Sequence, residues 1–155
     1  MAIKSFQAPI ISKTKTIRQN ILVSDYMSSN VTTFYKSDCI YDVMRILFEK
    51  KISGAPVVNK YGKLVGIISE SDLMKNIIDS QYYNMPISKT KVSNYMKKSV
   101  DSIPPDITIF ETASRFLKLK RKRFPVIKSN KIVGIISRID IISAALKTRS
   151  QMWSF

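Results

Sequence analysis

Two carboxylates stand out for their spacing. Asp72 follows Ser69 by three residues, and Asp140 follows Ser137 by the same interval; each serine ends a Gly-Ile-Ile-Ser run. A carboxylate placed there can accept two hydrogen bonds from vicinal sugar hydroxyls, as an acidic residue does in dinucleotide folds. Charge assistance makes such bonds stronger than neutral ones. The serine hydroxyl, together with the unpaired N–H groups of a helix start, can receive a phosphate. The same Ser-x-x-Asp pattern is also an N-capping arrangement that satisfies the backbone and binds nothing. Both readings stand at this level, and they are compatible.

Other chemistries find little here. The chain has no histidine, which excludes a histidine-based triad. Cys39 is the only cysteine, so Cys/His zinc sites lack ligands and no internal disulfide can form. Walker-type phosphate loops are absent, since the only glycines are Gly54, Gly62, Gly66 and Gly134. The expectation is a protein that binds rather than catalyses, with no metal site and no required cofactor. Its sole cysteine and its polar start suggest a cytoplasmic protein. No apolar run approaches the roughly 18 residues of a membrane span.

The elements that must position these residues are written twice. Val23-Ser24-Asp25-Tyr26-Met27 returns as Val92-Ser93-Asn94-Tyr95-Met96, and Ala55-Pro56-Val57-Val58 returns as Phe124-Pro125-Val126-Ile127, both 69 positions on. Gly66-Ile67-Ile68-Ser69 returns as Gly134-Ile135-Ile136-Ser137 at 68. A duplicated supersecondary unit is the simplest account. Each copy, at about 60 residues, buries only ~60% of its unfolded surface. Mutual packing remedies that, and it leaves a crevice between the copies as the natural place for a ligand.

Each copy reads as a short extended piece, a helix, two strands and a second helix. Ile40, Val43, Met44, Leu47 and Phe48 form one apolar stripe, and Ile109, Phe110, Ala113, Phe116 and Leu117 repeat it. Thr108 and Glu111 make a capping-box pattern; Cys39 and Asp42 are its weaker counterpart. Strands at Pro56–Asn59 and Leu64–Ile68 bracket a turn at Lys60–Lys63, and the second hairpin turns at Ser129-Asn130. A final helix is predicted from about Glu70 to Asp79, and again from Arg138 to Thr148. The predicted organisation is a basic arm (1–21), repeat one (22–79), a linker (80–91), repeat two (92–149) and a tail (150–155). The fold class is α+β.

These residues, in this order and in duplicate, resemble a tandem of cystathionine-β-synthase (CBS) domains over roughly residues 22 to 148. The resemblance implies two β-α-β-β-α repeats packed sheet to sheet with pseudo-twofold symmetry. It implies a regulatory module without enzymatic activity that holds an adenosine ligand (AMP, ADP, ATP or S-adenosylmethionine) and pairs into a homodimer. Carried onto this sequence, one cleft would use Thr32, Thr33, Ser53, Gly54, Ala55 and Pro56 with Ser137 and Asp140, and Arg138 would meet phosphate. A second, weaker cleft would use Asp101, Ser102, Lys122, Arg123, Phe124 and Pro125 with Ser69 and Asp72. Asp101 stands where the first copy has Thr32, and it would repel phosphate. Arg123-Phe124 would either stack on a base or plug the slot.

With the repeats consuming the chain, any output must pass to a separate protein target. Two alternatives remain open. The formal net charge is +15, and nine basic residues with no acidic one lie between Arg115 and Arg138. Such a surface attracts polyanions, so non-specific nucleic-acid binding is one alternative. A structural dimer without ligand is the other, and the apolar tail residues Trp153 and Phe155 would dock on the core or on a second protomer.

Overall fold

The computed structural model describes residues 20–152, and the side chains of 20–148. The predicted arm, apart from its last two residues, and the Trp153/Phe155 tail lie outside the described residues. The first copy opens with a helical turn, α1 (Val23–Tyr26), then β1 (Phe34–Tyr35), α2 (Ile40–Lys50), β2 (Gly54–Val58), β3 (Leu64–Ser69) and α3 (Glu70–Tyr83). A 3-10 turn at Ile87–Lys89 follows. The second copy opens with a 3-10 turn (Val92–Asn94), then α4 (Ile109–Leu119), β4 (Arg123–Lys128), β5 (Lys131–Ser137) and α5 (Arg138–Met152). Both closing helices outrun their predicted ends, since nothing in their sequence breaks them there.

β2 pairs antiparallel with β3, and β1 lies parallel to β2 with Phe34 opposite Val57. β4 and β5 form the matching antiparallel pair, but the first strand shrinks to one parallel bridge, Ile103 to Val126. The first hairpin is closed by Asn59, whose Oδ1 accepts from the N–H of Tyr61 and of Lys63, each at 3.0 Å. The second needs two residues at positive φ, Ser129 (51°) and Asn130 (61°). Two such residues match the strand twist in a tight hairpin.

Helix ends follow local chemistry. Thr108 Oγ1 accepts from Glu111 N–H at 3.1 Å, while the Glu111 carboxylate turns to Arg115 at 2.8 Å. The predicted box is therefore half made. Cys39 makes no side-chain cap, and its thiol donates to the Ser88 carbonyl at 3.2 Å. α2, α3 and α4 stop on left-handed residues, Lys51, Asn84 and Lys120. A left-handed residue is a common helix terminator.

The apolar stripes are narrower than periodicity suggests. Ile40, Val43 and Leu47 are buried on α2, as are Ile109, Thr112 and Phe116 on α4. Phe48 (85% exposed), Phe110 (65%) and Leu117 (80%) face outward, contrary to expectation.

The cores do not follow chain order. One gathers Phe34, Ile40, Val57 and Ile68 of the first copy with Val92 and Met96, which open the second. The other gathers Ile103, Phe116, Phe124 and Ile136 of the second copy with Val23, which opens the first. Backbone pairing follows the same exchange. Ser28 and Ile135 swap two 2.9 Å hydrogen bonds, and Lys97 and Ile67 swap two more. Each opening turn thus closes the sheet of the other copy. Gly66 and Gly134 are the points of contact. A Cβ on Gly66 would lie 2.8 Å from the Lys97 carbonyl, and one on Gly134 would strike the Met27 sulfur.

Candidate functional site

Each Ser-x-x-Asp sits where a strand becomes a helix. β3 ends at Ser69 and α3 begins at Glu70; β5 ends at Ser137 and α5 begins at Arg138. Asp72 Oδ2 accepts from the Ser69 N–H (2.9 Å) and hydroxyl (2.8 Å). Asp140 Oδ2 accepts from the Ser137 N–H (2.7 Å) and hydroxyl (2.8 Å). The capping arrangement is thus present in both copies.

It occupies only one carboxylate oxygen in each. The second oxygens differ in surroundings. Asp72 is buried, and its Oδ1 lies 3.9 Å from Lys97 Nζ. Asp140 is half-buried, and its Oδ1 has no protein partner among the described residues. The residue 69 positions before Lys97 is Ser28, so no cation is supplied from that place in the first copy.

The segment before each proline does not simply face the opposite copy. Gly54 pairs with Ser69 of its own hairpin, and Arg123 pairs with Ser137. No hydrogen bond or ion pair among the described residues joins Thr32, Thr33 or residues 53–56 to Ser137, Arg138 or Asp140. Contacts instead join residues assigned to the two different clefts and to the two copies. Arg123 hydrogen-bonds the Ser53 hydroxyl, and Lys122 Nζ lies 4.0 Å from Glu70 Oε1. A Cβ on Gly54 would meet Arg123 Nη1 at 2.7 Å, the Ile68 carbonyl at 2.7 Å and Ser69 Cα at 3.0 Å. Ser53, Gly54, Ser69 and Arg123 therefore converge at the junction of the copies. Burial pushes the Arg123 guanidinium below its ordinary pKa, and the nearby Glu70 charge acts the other way.

Two expectations are corrected. Phe124 neither stacks nor plugs: it is fully buried, its ring 4.5 Å from that of Phe116. Asp101 is no bare repellent charge, because Arg121 Nε lies 2.7 Å from its Oδ2. Arg138, expected to meet phosphate, has its Nε on the Arg121 carbonyl at 2.7 Å. Ala55, Pro56 and Pro125 are buried strand residues, Thr33 and Ser102 are exposed, and Thr32 is half-buried. Sequence reasoning missed Lys97, Glu70 and Lys50. Lys50 Nζ donates to Thr32 Oγ1 at 2.9 Å. Comparing the copies position by position would have flagged all three, for their counterparts are Ser28, Arg138 and Leu119.

No group of His, Cys, Asp or Glu among the described residues could hold a metal ion. No described helix is long and apolar enough to cross a membrane. The family model for the CBS domain matches twice, over residues 23–79 and 92–147.

The chain belongs to the CBS-domain family.

The CBS pair is 33% identical over 166 residues to the uncharacterized protein MJ1426 of Methanocaldococcus jannaschii, covering 88% of this chain and 98% of that one. It spans only 14% of an A-adding tRNA nucleotidyltransferase from Aquifex aeolicus, 30% identical over 122 residues, so CBS pairs also occur within enzymes. Among solved structures it is similar to CBSX2 in complex with AMP (27% identity, TM-score 0.73, 83% of this chain and 98% of that one). It is also similar to the CBS domain pair of protein MJ0100 in complex with 5′-methylthioadenosine and S-adenosylmethionine (26%, TM-score 0.68, 80% and 98%). The α+β architecture of two CBS repeats is common to all of these solved pairs.

Proposed function

We propose that this CBS pair is a regulatory module, not an enzyme, that binds an adenosine-containing ligand between its copies and reports occupancy to a separate protein. The observation that carries this reading is the half-used carboxylate of Asp140. Its Oδ2 holds the cap of α5, and its Oδ1 is left to accept from sugar hydroxyls. The AMP and S-adenosylmethionine complexes of similar pairs support the ligand class. In this reading Asp140 and Ser137 with Thr32 and Thr33 line the preferred cleft, while Ser53 and Gly54 lie against Arg123 and Ser69 at the junction of the copies. Asp72 is the weaker grip, because Lys97 already draws on its free oxygen.

The module works as a homodimer. The same helical positions stay apolar and exposed in both copies: Tyr41 and Phe110, Phe48 and Leu117, Ile78 and Leu146. A matched, symmetric apolar surface suits a twofold contact with a second chain. Its single half-buried cysteine suits the cytoplasm. The nucleic-acid reading is weaker, because Arg115, Arg121 and Lys122 each face an acid.

Calorimetry with AMP, ADP, ATP and S-adenosylmethionine tests the proposal. Binding of at least one, lost in Asp140→Ala while the fold persists, is the expected result. No binding of any of them, or equal binding by the variant, rejects it.

A further inference from the structure

A basic belt crosses the junction of the two copies. Lys50 and Lys51 end α2 of the first copy, and Ser53 just beyond them receives a hydrogen bond from Arg123 of the second. On the far side of that contact stand Lys120, Arg121 and Lys122, and the Arg121 carbonyl receives Arg138 Nε at 2.7 Å. Two acids pair within the belt: Asp101 with Arg121 at 2.7 Å, and Glu70 with Lys122 at 4.0 Å. Exposed positive charge is left in surplus on Lys50, Lys51, Lys120 and Arg138. Helix stability accounts for only part of it. A helix C-terminus favours a cation and an N-terminus disfavours one. Lys50 obeys that rule, but Arg138 is the first residue of α5 and breaks it. Aliphatic side chains lie between the cations: Leu119 (40% exposed) precedes Lys120, and Ile139 (67%) follows Arg138. The rings of the same stretch, Phe116 and Phe124, are buried.

We propose that this belt docks an acidic, leucine-containing segment of the separate protein to which the module reports, an inference that rests on that reading of its role. Charge complementarity calls for a carboxylate-rich partner, and the interleaved aliphatic groups call for one that carries its own. Nucleic acid fits less well. A strand presents a phosphate charge about every 3.4 Å without a gap, so some of them fall on Asp101 and Glu70. A protein segment can space its carboxylates to miss both. None of the belt residues offers an exposed ring on which a base could stack. Because the belt draws on both copies, a segment lying along it binds better at one angle between them than at another. A shift of that angle therefore changes its affinity.

The probe is a fluorescein-labelled peptide of glutamates with a leucine at every fourth place, titrated into the full chain by fluorescence anisotropy. No adenosine ligand is added, so failure here leaves the ligand-binding reading standing. The peptide should bind, weaken as salt screens the charges, and bind more tightly than an all-glutamate peptide of the same charge. Lys51→Glu in one copy and Lys120→Glu in the other should each weaken it, and together by about tenfold or more. The control is Lys128→Glu with Lys131→Glu, the same change of charge at the tip of the second hairpin. β4 runs from Arg123 to Lys128, and Lys131 pairs with Lys128, so both lie roughly 16 Å from the junction. That control should have a much smaller effect. Urea midpoints check that each variant is folded. Equal losses in the two double variants, affinity indifferent to Lys51→Glu, or no binding at low salt overturns the proposal. So does mixed-sequence RNA of matched charge that binds more tightly than the peptide and is lost in Lys51→Glu with Lys120→Glu, which would make the belt a nucleic-acid surface.

Discussion

Ser28 and Ile135 exchange both of their backbone hydrogen bonds at 2.9 Å across the two copies. The glycine next to that pair, Gly134, has no room for a side chain against Met27, and Gly66 has none against Lys97 and Met96. Gly66→Ala or Gly134→Ala should therefore force the copies apart. The expected loss is about 1–3 kcal/mol, the usual scale for overpacking, read as a lower urea midpoint. Unchanged stability would show that the contact yields freely.

Asp140→Asn separates the observed cap from the proposed sugar contact of this side chain. The amide oxygen can still accept from the Ser137 N–H, so the α5 cap persists and thermal stability should move little. The charge that strengthens a sugar contact is gone. Ligand affinity should fall by about tenfold, corresponding to roughly 1.4 kcal/mol, in a titration against the best-binding nucleotide. A large drop in melting temperature with affinity intact would assign Asp140 to the cap alone.

Under the proposed homodimer, Phe48→Glu or Ile78→Glu should yield a monomer, because either places a charge in the exposed apolar face. Light scattering reads the mass directly. Two variants with wild-type mass would move the interface elsewhere.

Lys120 ends α4 at φ 52°. An L-residue is strained in that left-handed conformation and glycine is not. Lys120→Gly should stabilise the fold by ~0.5–1 kcal/mol after the entropy of the more flexible residue is counted, measured by denaturant unfolding. Destabilisation would mean that the lysine side chain makes contacts that outweigh the strain.

Tyr95 donates to Asp79 Oδ2 at 2.8 Å. A hydrogen bond from Asn76 would lower its pKa, but desolvation and the Asp79 carboxylate together hold it above the ordinary 10.0. A phenol whose pKa rises on folding stabilises the fold fully below its ordinary value, and that stability fades as pH climbs through the folded value. The advantage of wild type over Tyr95→Phe should shrink at pH above the ordinary phenol value. Urea midpoints of both proteins, compared on either side of it, check this; a constant gap refutes it.

The duplicated motifs, the hairpins and the helices are written in local sequence, and the structure follows them closely. The exchange of opening turns is not. Val23 and Val92 head nearly identical pentapeptides, and nothing in either says which copy it will cover. Periodicity groups Phe48, Phe110 and Leu117 with the apolar stripes, but a period cannot tell a buried apolar position from an exposed one. At the candidate site, the Ser-x-x-Asp carboxylates and their caps were legible because the partners lie three residues apart. Lys50 with Thr32 and Arg121 with Asp101 were not, because those pairs form only after a helix has folded back on its strand. Phe124 was misread because its neighbour Arg123 reaches the junction while Phe124, alternating to the other face of β4, packs on Phe116.

A half-length chain with a single opening turn could not finish itself in this architecture, since the piece that seals Ile67 belongs to the next copy. It could do so only by lending its turn to an identical neighbour and borrowing one in return. During synthesis the first half must likewise wait with an open edge until Lys97 has left the ribosome.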